Sequence, residues 1–418
     1  FLIDQTITMM AFVWSMYPIW LPLILAFLFW DMWMIYIRAD FFSKQKYVLL
    51  EIKLPQNILK SAEAMDTLIS SLYDTSGEGT FLARYWDGKV RPWFSLELVS
   101  LGGEIKFYMW MRRELKDYVE SLIYSQYHEV EIHEALDYTE LVDFDPKSND
   151  LFACEFKLSK PDVYPIKTYV DYWLDEEQEE FFKVDPITPV IEYLGSLGPG
   201  EQAWYQFVIR AHKKEIPVSN TWPSFSLDPE SIFGFTFNLD KVSLFKKTDW
   251  TSEAKEEIKK ILEKSKDKEK GFRNLTEGEK KTIDALERSI SKPAFDIGIR
   301  AIYFADTKSF KKTHMTGLIA SLTRQYKSGF NDLSPAVKTA FDYPWQDFPG
   351  RKLRKMKGDL MGAYKKRGFF YQPIKSGTFV MNSEEIATLY HFPGAVATTP
   401  KLTRIPSKKV QAPSNLPV

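Results

Sequence analysis

One cysteine, Cys154, and five histidines in 418 residues leave little material for disulfide or metal chemistry. A single thiol excludes an intramolecular disulfide framework, and with scattered histidines it makes no structural zinc site. The absence of disulfides fits a reducing compartment. Charge of one sign is also lacking: 55 Lys+Arg against 56 Asp+Glu leave a formal net charge of -1. That excludes a chain that binds polyanions over its whole surface and confines any such contact to a local patch. Catalytic motifs are missing too. The phosphate-binding pattern GxxxxGK[ST] needs Lys and Ser/Thr after glycine, and the only Gly-Lys pair, Gly88-Lys89, is followed by Val90. There is no HExxH, GxSxG or CxxC. His128 and His133 are five apart, which suits neither a helical nor a strand metal pair. GSLGPG (195–200) follows a helical pattern and precedes a strand, the reverse of a phosphate cradle, and reads as a loop. The sequence predicts no catalytic, cofactor-binding or metal-binding residue. A hydrophobic share of 44% still fills real cores, so two or three folded domains are expected.

Charge is scarcest near the start. From Met10 to Ile37 the only charged residue is Asp31. As a helix these residues span about 42 Å, more than the roughly 30 Å hydrocarbon core, with tilt or a bend near Pro18 and Pro22 absorbing the excess. Trp14, Trp20, Trp30 and Trp33 suit headgroup boundaries, and Asp31 belongs near an interface or a partner helix. The run is too long for a signal peptide, and its positive charges, Arg38, Lys44, Lys46 and Lys53, follow it. The expected topology is a single-pass anchor, N-terminus out and main body cytoplasmic. A start at Phe1 instead of Met suggests a piece of a longer reading frame.

Beyond the anchor (1–45), hydrophobic periodicity predicts an α+β fold of two ferredoxin-like βαββαβ domains. In the first (46–140), strands at Tyr47 to Leu54, Phe94 to Leu101, Glu104 to Met111 and Val130 to Leu136 alternate with helices. Their apolar faces carry Ile58, Ala62, Met65, Ile69 and Leu72, then Leu115, Val119, Leu122 and Ile123. Gly102-Gly103 marks the hairpin. The second (150–394) repeats the order: a strand at Phe152 to Leu158, a helix with Ile187, Val190, Ile191 and Leu194, strands at Ala203 to His212 and Ala294 to Ala305, a helix with Met315, Leu318, Ile319 and Leu322, and a closing strand at Thr378 to Met381.

Two long insertions interrupt this second domain. Insertion 213–293 contains Thr251 to Lys292, where 22 of 42 positions are charged, a solvated helical hairpin or a partner-docking arm, with a capping box at Thr276 and Glu279. The acidic stretch Asp171 to Asp185 has no calcium-loop spacing and reads as solvated. Insertion 327–377 is basic. Arg351, Lys352, Arg354, Lys355, Lys357, Lys365, Lys366 and Arg367 stand against Asp359 alone, interleaved with Phe348, Tyr364, Phe369, Phe370 and Tyr371. These eight are the candidate polyanion-binding residues, and DNA, anionic lipid and plain solvent are all open to them. Residues 395–418 read as a C-terminal linker.

Three segments carry a resemblance: Trp93 to Tyr138, Leu275 to Phe304, and NSEEIATLYHFPG (Asn382 to Gly394). Together they resemble the membrane-anchored, non-motor N-terminal region of HerA-like ATPases of bacterial type IV secretion and conjugative DNA transfer. The resemblance implies an anchor, ferredoxin-like domains and a following RecA-like motor that hydrolyses ATP; Arg404 to Val418 looks like the linker into that motor. No ATP-contacting residue carries over. The expected function is a non-enzymatic membrane anchor and scaffold of a translocation machine. Its expected partners are the lipid bilayer, an ATPase motor of the same or adjacent reading frame, further copies or secretion-complex subunits, and DNA through the basic segment. The alternative is a membrane-tethered cytoplasmic binding module unrelated to translocation.

Overall fold

Tyr17–Lys44 form one helix of 28 residues (α1), with Pro18 in its first turn, where a missing N–H is tolerated, and Pro22 inside. An 18-residue window within it has a mean hydropathy of 1.7, so the helix is long and apolar enough to cross a membrane. The computed structural model describes residues 14–55, 62–172, 185–213, 250–264, 275–326, 330–341 and 350–394, with short stretches at 224–227, 235–238, 266–267, 271–272 and 404–405 and single residues 343, 345 and 347. Ile58, Phe348, most of the acidic stretch and most of the tail after 394 lie outside the described residues. The chain divides into two compact units. The first takes 1–45, 76–90 and 214–248. It holds α1, a five-residue helix at Phe81–Tyr85 capped by the Thr80 hydroxyl, and a hairpin of Ser224–Leu227 with Phe235–Asn238.

The second unit is built on a large, predominantly antiparallel sheet. Its first half runs β1 (Tyr47–Pro55), α2 (Ala62–Ser71), β2 (Trp93–Leu101), β3 (Glu104–Arg112), α3 (Lys116–Gln126) and β4 (Glu131–Ala135). β1 lies between β3 and β4, and β2 closes a hairpin on β3 through Gly102 and Gly103. Both glycines have positive φ (63° and 97°), as a two-residue turn matched to the strand twist requires. The second half runs β5 (Asn149–Leu158), α4 (Thr188–Gly195), β6 (Glu201–Ala211), α5 (Trp250–Lys264), α6 (Glu277–Ser291), β7 (Ala294–Asp306), α7 (Lys312–Thr323), β8 (Leu333–Lys338), α8 (Arg351–Lys365), β9 (Phe379–Asn382) and α9 (Ser383–Leu389). β5 lies between β7 and β8, and β7 pairs with β6. Each half therefore has the same strand order, fourth, first, third, second.

The halves do not form separate sheets. β2 and β6 pair antiparallel from Trp93↔Arg210 to Leu101↔Gln202, giving the continuous order β4-β1-β3-β2-β6-β7-β5-β8. The edge of the second half is also not where periodicity puts it. The strand expected at Thr378 to Met381 exists, but as β9 it pairs with the first residues of β7, Ala294 to Ile297. The edge position belongs to β8, LSPAVK, inside the stretch expected as a basic insertion. β8 is exposed over its last four residues and its register shifts between Pro335 and Val337. An edge strand that is exposed on both faces and contains a proline carries little apolar alternation, so the pattern passes over it.

One face of the sheet packs on the helices. Leu96, Leu98, Phe107, Met109, Phe207, Ile299 and Phe156 point into this core with Met65 and Ile69 of α2, Val119 and Ile123 of α3, Ile191 of α4 and Leu318 and Leu322 of α7. Between β6 and β7, α5 and α6 pack on each other, and α6 starts at the capping box expected from Thr276 and Glu279.

Candidate functional site

The opposite face of the sheet is also covered, and its centre is polar. Strand register lines up Glu51, Tyr108, Glu97, Gln206, Arg300 and Glu155 across six neighbouring strands. Glu97, Gln206 and Arg300 are fully buried. Gln206 Nε2 donates to Glu97 Oε1 (3.1 Å), and Arg300 reaches Gln206 Oε1 (3.3 Å) and Glu155 Oε1 (2.6 Å). Unpaired charges there would cost several kcal/mol each, so every member needs its neighbour.

The lid on this row is the basic segment. Arg367, the last of the eight candidate cations, turns inward at φ 49°, donates to Glu97 from Nε (2.9 Å) and Nη2 (3.2 Å), and pairs with Asp137. Tyr138 bridges Glu97 (2.9 Å) and the Tyr364 hydroxyl (2.8 Å). Burial is the largest influence on Arg367 and disfavours its charge, but the carboxylates outweigh it and hold the guanidinium protonated. Next to it the Phe369 ring lies 4.2 Å from the Arg300 guanidinium and directly over Gly298. Phe370 and Tyr371 stack on Arg210, whose Nε pairs with Asp296 (2.8 Å). The aromatics Tyr364, Phe369, Phe370 and Tyr371 are thus buried cover and not a stacking surface.

The other seven cations divide by helix face. Lys357 Nζ meets Asp150 at 2.5 Å and Lys365 Nζ meets Asp143 at 2.7 Å. Arg351, Lys352, Arg354, Lys355 and Lys366 are exposed, and among the described residues their side chains pair with no carboxylate. Just before α8, Tyr343 and Trp345 are 53% and 74% exposed and stack on each other at 4.6 Å. Beside the start of α8 lies an open cleft of about 220 Å³ lined by Asn149, Asp150, Thr307, Leu353, Arg354 and Lys357. The α8 N-terminus is already occupied, because the Asp347 carboxylate accepts from the backbone N–H of Lys352 (3.0 Å) and Leu353 (2.7 Å).

The segment NSEEIATLYHFPG is a buried helix and its flanks. Glu385 and Asn382 form a reciprocal capping box, and Glu385 Oε1 also accepts from Ile166 N (2.8 Å). Burial pushes the Glu385 carboxyl up to about 8, against the pull of these backbone N–H groups. His391 Nε2 lies 2.9 Å from Asp185. Each group therefore has a structural partner. GSLGPG is a turn whose Gly198 N–H donates to the buried Glu201 carboxylate (2.9 Å), which also holds Tyr303 and Lys311. His133 is exposed beside Glu131, and among the described residues no group of His, Cys, Asp or Glu could hold a metal ion. Burial raises the Cys154 thiol far above its ordinary value and leaves it unreactive.

The family model described as "Domain of unknown function (DUF8128)" matches residues 41–404, the whole second unit up to the short strand at Arg404. The chain belongs to this family. No curated protein matches it. The match places the apolar helix almost wholly outside the family region and the polar row, α8 and the NSEEIATLYHFPG helix within it.

Sequence reasoning missed the row itself. A signal existed: Glu97, Gln206, Arg300 and Glu155 each interrupt a strand that is apolar on both sides, as in SLELV and GIRAI. Tyr343 and Trp345 were also missed, because they stand apart from the basic run and its closer aromatics.

Proposed function

We propose that this chain is the membrane anchor and non-catalytic scaffold of a bacterial type IV secretion or conjugation-type translocation machine, and that it positions an ATPase motor. The carrying observation is α1, a 28-residue apolar helix, in the same chain as a domain in which buried charged groups such as Glu97 with Arg367 and Asp185 with His391 are tied into structural pairs. A group held in such a pair braces a sheet and is a poor acid, base or nucleophile. We read the two halves of the sheet as ferredoxin-like units fused through β2 and β6, a broad rigid support suited to repeated subunit contacts. In this reading α1 crosses the inner membrane with its N-terminus out, the sheet lies in the cytoplasm, and the exposed cations of α8 with Tyr343 and Trp345 form a surface for DNA. The resemblance of Trp93 to Tyr138, Leu275 to Phe304 and Asn382 to Gly394 supports the same assignment.

The test is cellular. A reporter fused after Val418 is expected to read cytoplasmic in the inner-membrane fraction, and a P-loop ATPase is expected to co-purify with the detergent-extracted chain. A periplasmic reporter sinks the topology. Co-purification of envelope proteins without an ATPase favours a tethered binding module over the machine. Calorimetry with Mg-ATP is expected to show no saturable binding, and turnover by the chain alone would overturn the non-catalytic reading.

A further inference from the structure

The turn between α2 and β2 carries apolar side chains that its own unit leaves uncovered. Phe81, Leu82 and Trp86 are 70%, 66% and 67% exposed, three large side chains within six residues. Scattered single apolar residues need no explanation, but a contiguous cluster marks a contact surface. This cluster is fixed to α1. Trp33 Nε1 donates to the Tyr85 carbonyl at 3.0 Å, the Trp30 ring lies 5.5 Å from Tyr85, and Trp33 lies 5.4 Å from Trp86. Gly88, at φ 63°, brings the backbone against α1 so closely that a Cβ there would sit 2.4 Å from the Ile37 carbonyl oxygen. The turn and this part of α1 are one packed piece.

We infer that residues 81–86 form a second membrane contact, a short aromatic turn lying in the headgroup layer of the bilayer that α1 crosses. The inference rests on the spanning reading of α1 and adds a depth to it. At 1.5 Å per residue, the stretch from Trp14, just before the first residue of α1, to Trp33 spans about 28 Å when counted as helix, close to the roughly 30 Å hydrocarbon thickness. Aromatic residues gather at both boundaries of that layer, so Trp33 marks one boundary and Trp14 the other. The turn is held at Trp30 and Trp33 and therefore meets the same boundary. Its composition suits that depth, with apolar tips at Phe81, Leu82 and Trp86 and, beside them for lipid phosphates, the cations Arg84 and Lys89, the latter in an exposed pair with Asp87 at 3.6 Å. Asp31 falls within a turn of Trp33, near water and not at the bilayer centre. A partner protein is the weaker occupant, since the cluster continues the lipid-facing surface of α1, where Phe29 and Trp30 are exposed.

The experiment uses the full chain in vesicles of phosphatidylethanolamine and phosphatidylglycerol. Cys154 is buried, so a spin label goes to an introduced thiol. Labels are placed by Leu23→Cys at the expected mid-membrane, Leu82→Cys and Trp86→Cys in the turn, and Lys259→Cys on the charged α5. Collision with oxygen against a water-soluble nickel chelate reports depth. The Leu82 and Trp86 labels are expected to show a several-fold higher oxygen-to-nickel ratio than the Lys259 label, with Leu23 higher still. A deep Leu23 label with Leu82 and Trp86 as wet as Lys259 would overturn the proposal and leave the spanning helix intact. A wet Leu23 label would overturn the spanning reading, and the proposal with it.

Discussion

Arg367 and Glu97 are joined by two hydrogen bonds, Nε to Oε1 at 2.9 Å and Nη2 to Oε2 at 3.2 Å, across 270 residues of chain. Glu97 is at the middle of the sheet and Arg367 is in the segment that closes over it. The pair thus ties the far end of the basic stretch to the centre of the fold. Arg367→Met leaves Glu97 and Asp137 without their cation and is expected to cost about 3–5 kcal/mol. Pairing it with Glu97→Gln is expected to recover a substantial part of that loss, because the fully buried carboxylate left without its cation is then neutral. Thermal melts of the detergent-solubilised single and double variants measure both; a double variant no more stable than Arg367→Met would show that the pair is not the source of the loss.

Gly298 is expected to tolerate no side chain. A Cβ there would lie 2.3 Å from the Phe369 ring, which is itself buried over Arg300. Gly298→Ala should cost about 1–3 kcal/mol by overpacking. Phe369→Leu, made in the same chain, should return part of the loss by freeing the space. A melting temperature unchanged by Gly298→Ala would mean that the aromatic cover is loosely seated.

The Asp185–His391 pair gives the fold a pH window. Burial is the largest influence on His391 and would lower its value, but Asp185 outweighs it and the net shift is upward from 6.5. Burial would raise Asp185, but His391 and the N–H groups of Ile187 and Gly394 outweigh it and the net shift is downward from 3.8. The histidine contribution is therefore complete below pH 6.5 and lost as pH rises through the raised value. The aspartate contribution is present above pH 3.8 and lost as pH falls through the depressed one. Asp185→Asn should cost about 3 kcal/mol near pH 6 and remove the pair's share of the fall in stability above pH 6.5. Melts of both proteins from pH 5 to 8.5 check it, and parallel curves would exclude the pair as a source of pH dependence.

The exposed cations of α8 separate binding from folding. Replacing Arg351, Lys352, Arg354 and Lys355 by Glu should leave the melting temperature nearly unchanged, since none is in an ion pair among the described residues. Retention of single-stranded DNA at low salt should fall, and the slope of log affinity on log salt should flatten by about 0.7 for each phosphate that is no longer neutralised. Trp345→Ala should weaken binding by about 1–3 kcal/mol if a base stacks on that ring. Equal retention by wild type and the Glu variant, measured by filter binding, would return α8 to the status of a solvated face.

Elements that repeat locally are legible from the chain alone. The charge-poor run specified α1, and period-2 and period-3.6 patterns specified β1 to β4, β5 to β7 and their helices, because each of the latter buries one face and leaves its mark every second residue or every three to four. Gly102-Gly103 and Thr276 with Glu279 are short-range signals that do not depend on distant chain. Long-range packing accounts for the rest. The pairing of β2 with β6 is a choice of one strand edge for another and has no local signature. β8 took the sheet edge, where a strand exposed over four successive residues still pairs with β5 on its inner side, and β9 paired with β7 instead. The eight basic residues look alike in the sequence, yet Arg367 is buried, Lys357 and Lys365 are paired, and five remain exposed, because their partners Glu97, Asp137, Asp143 and Asp150 lie more than 200 residues away. Only a folded chain brings charges so distant in sequence within 3 Å, and in doing so it separates a structural cation from one free to meet a ligand.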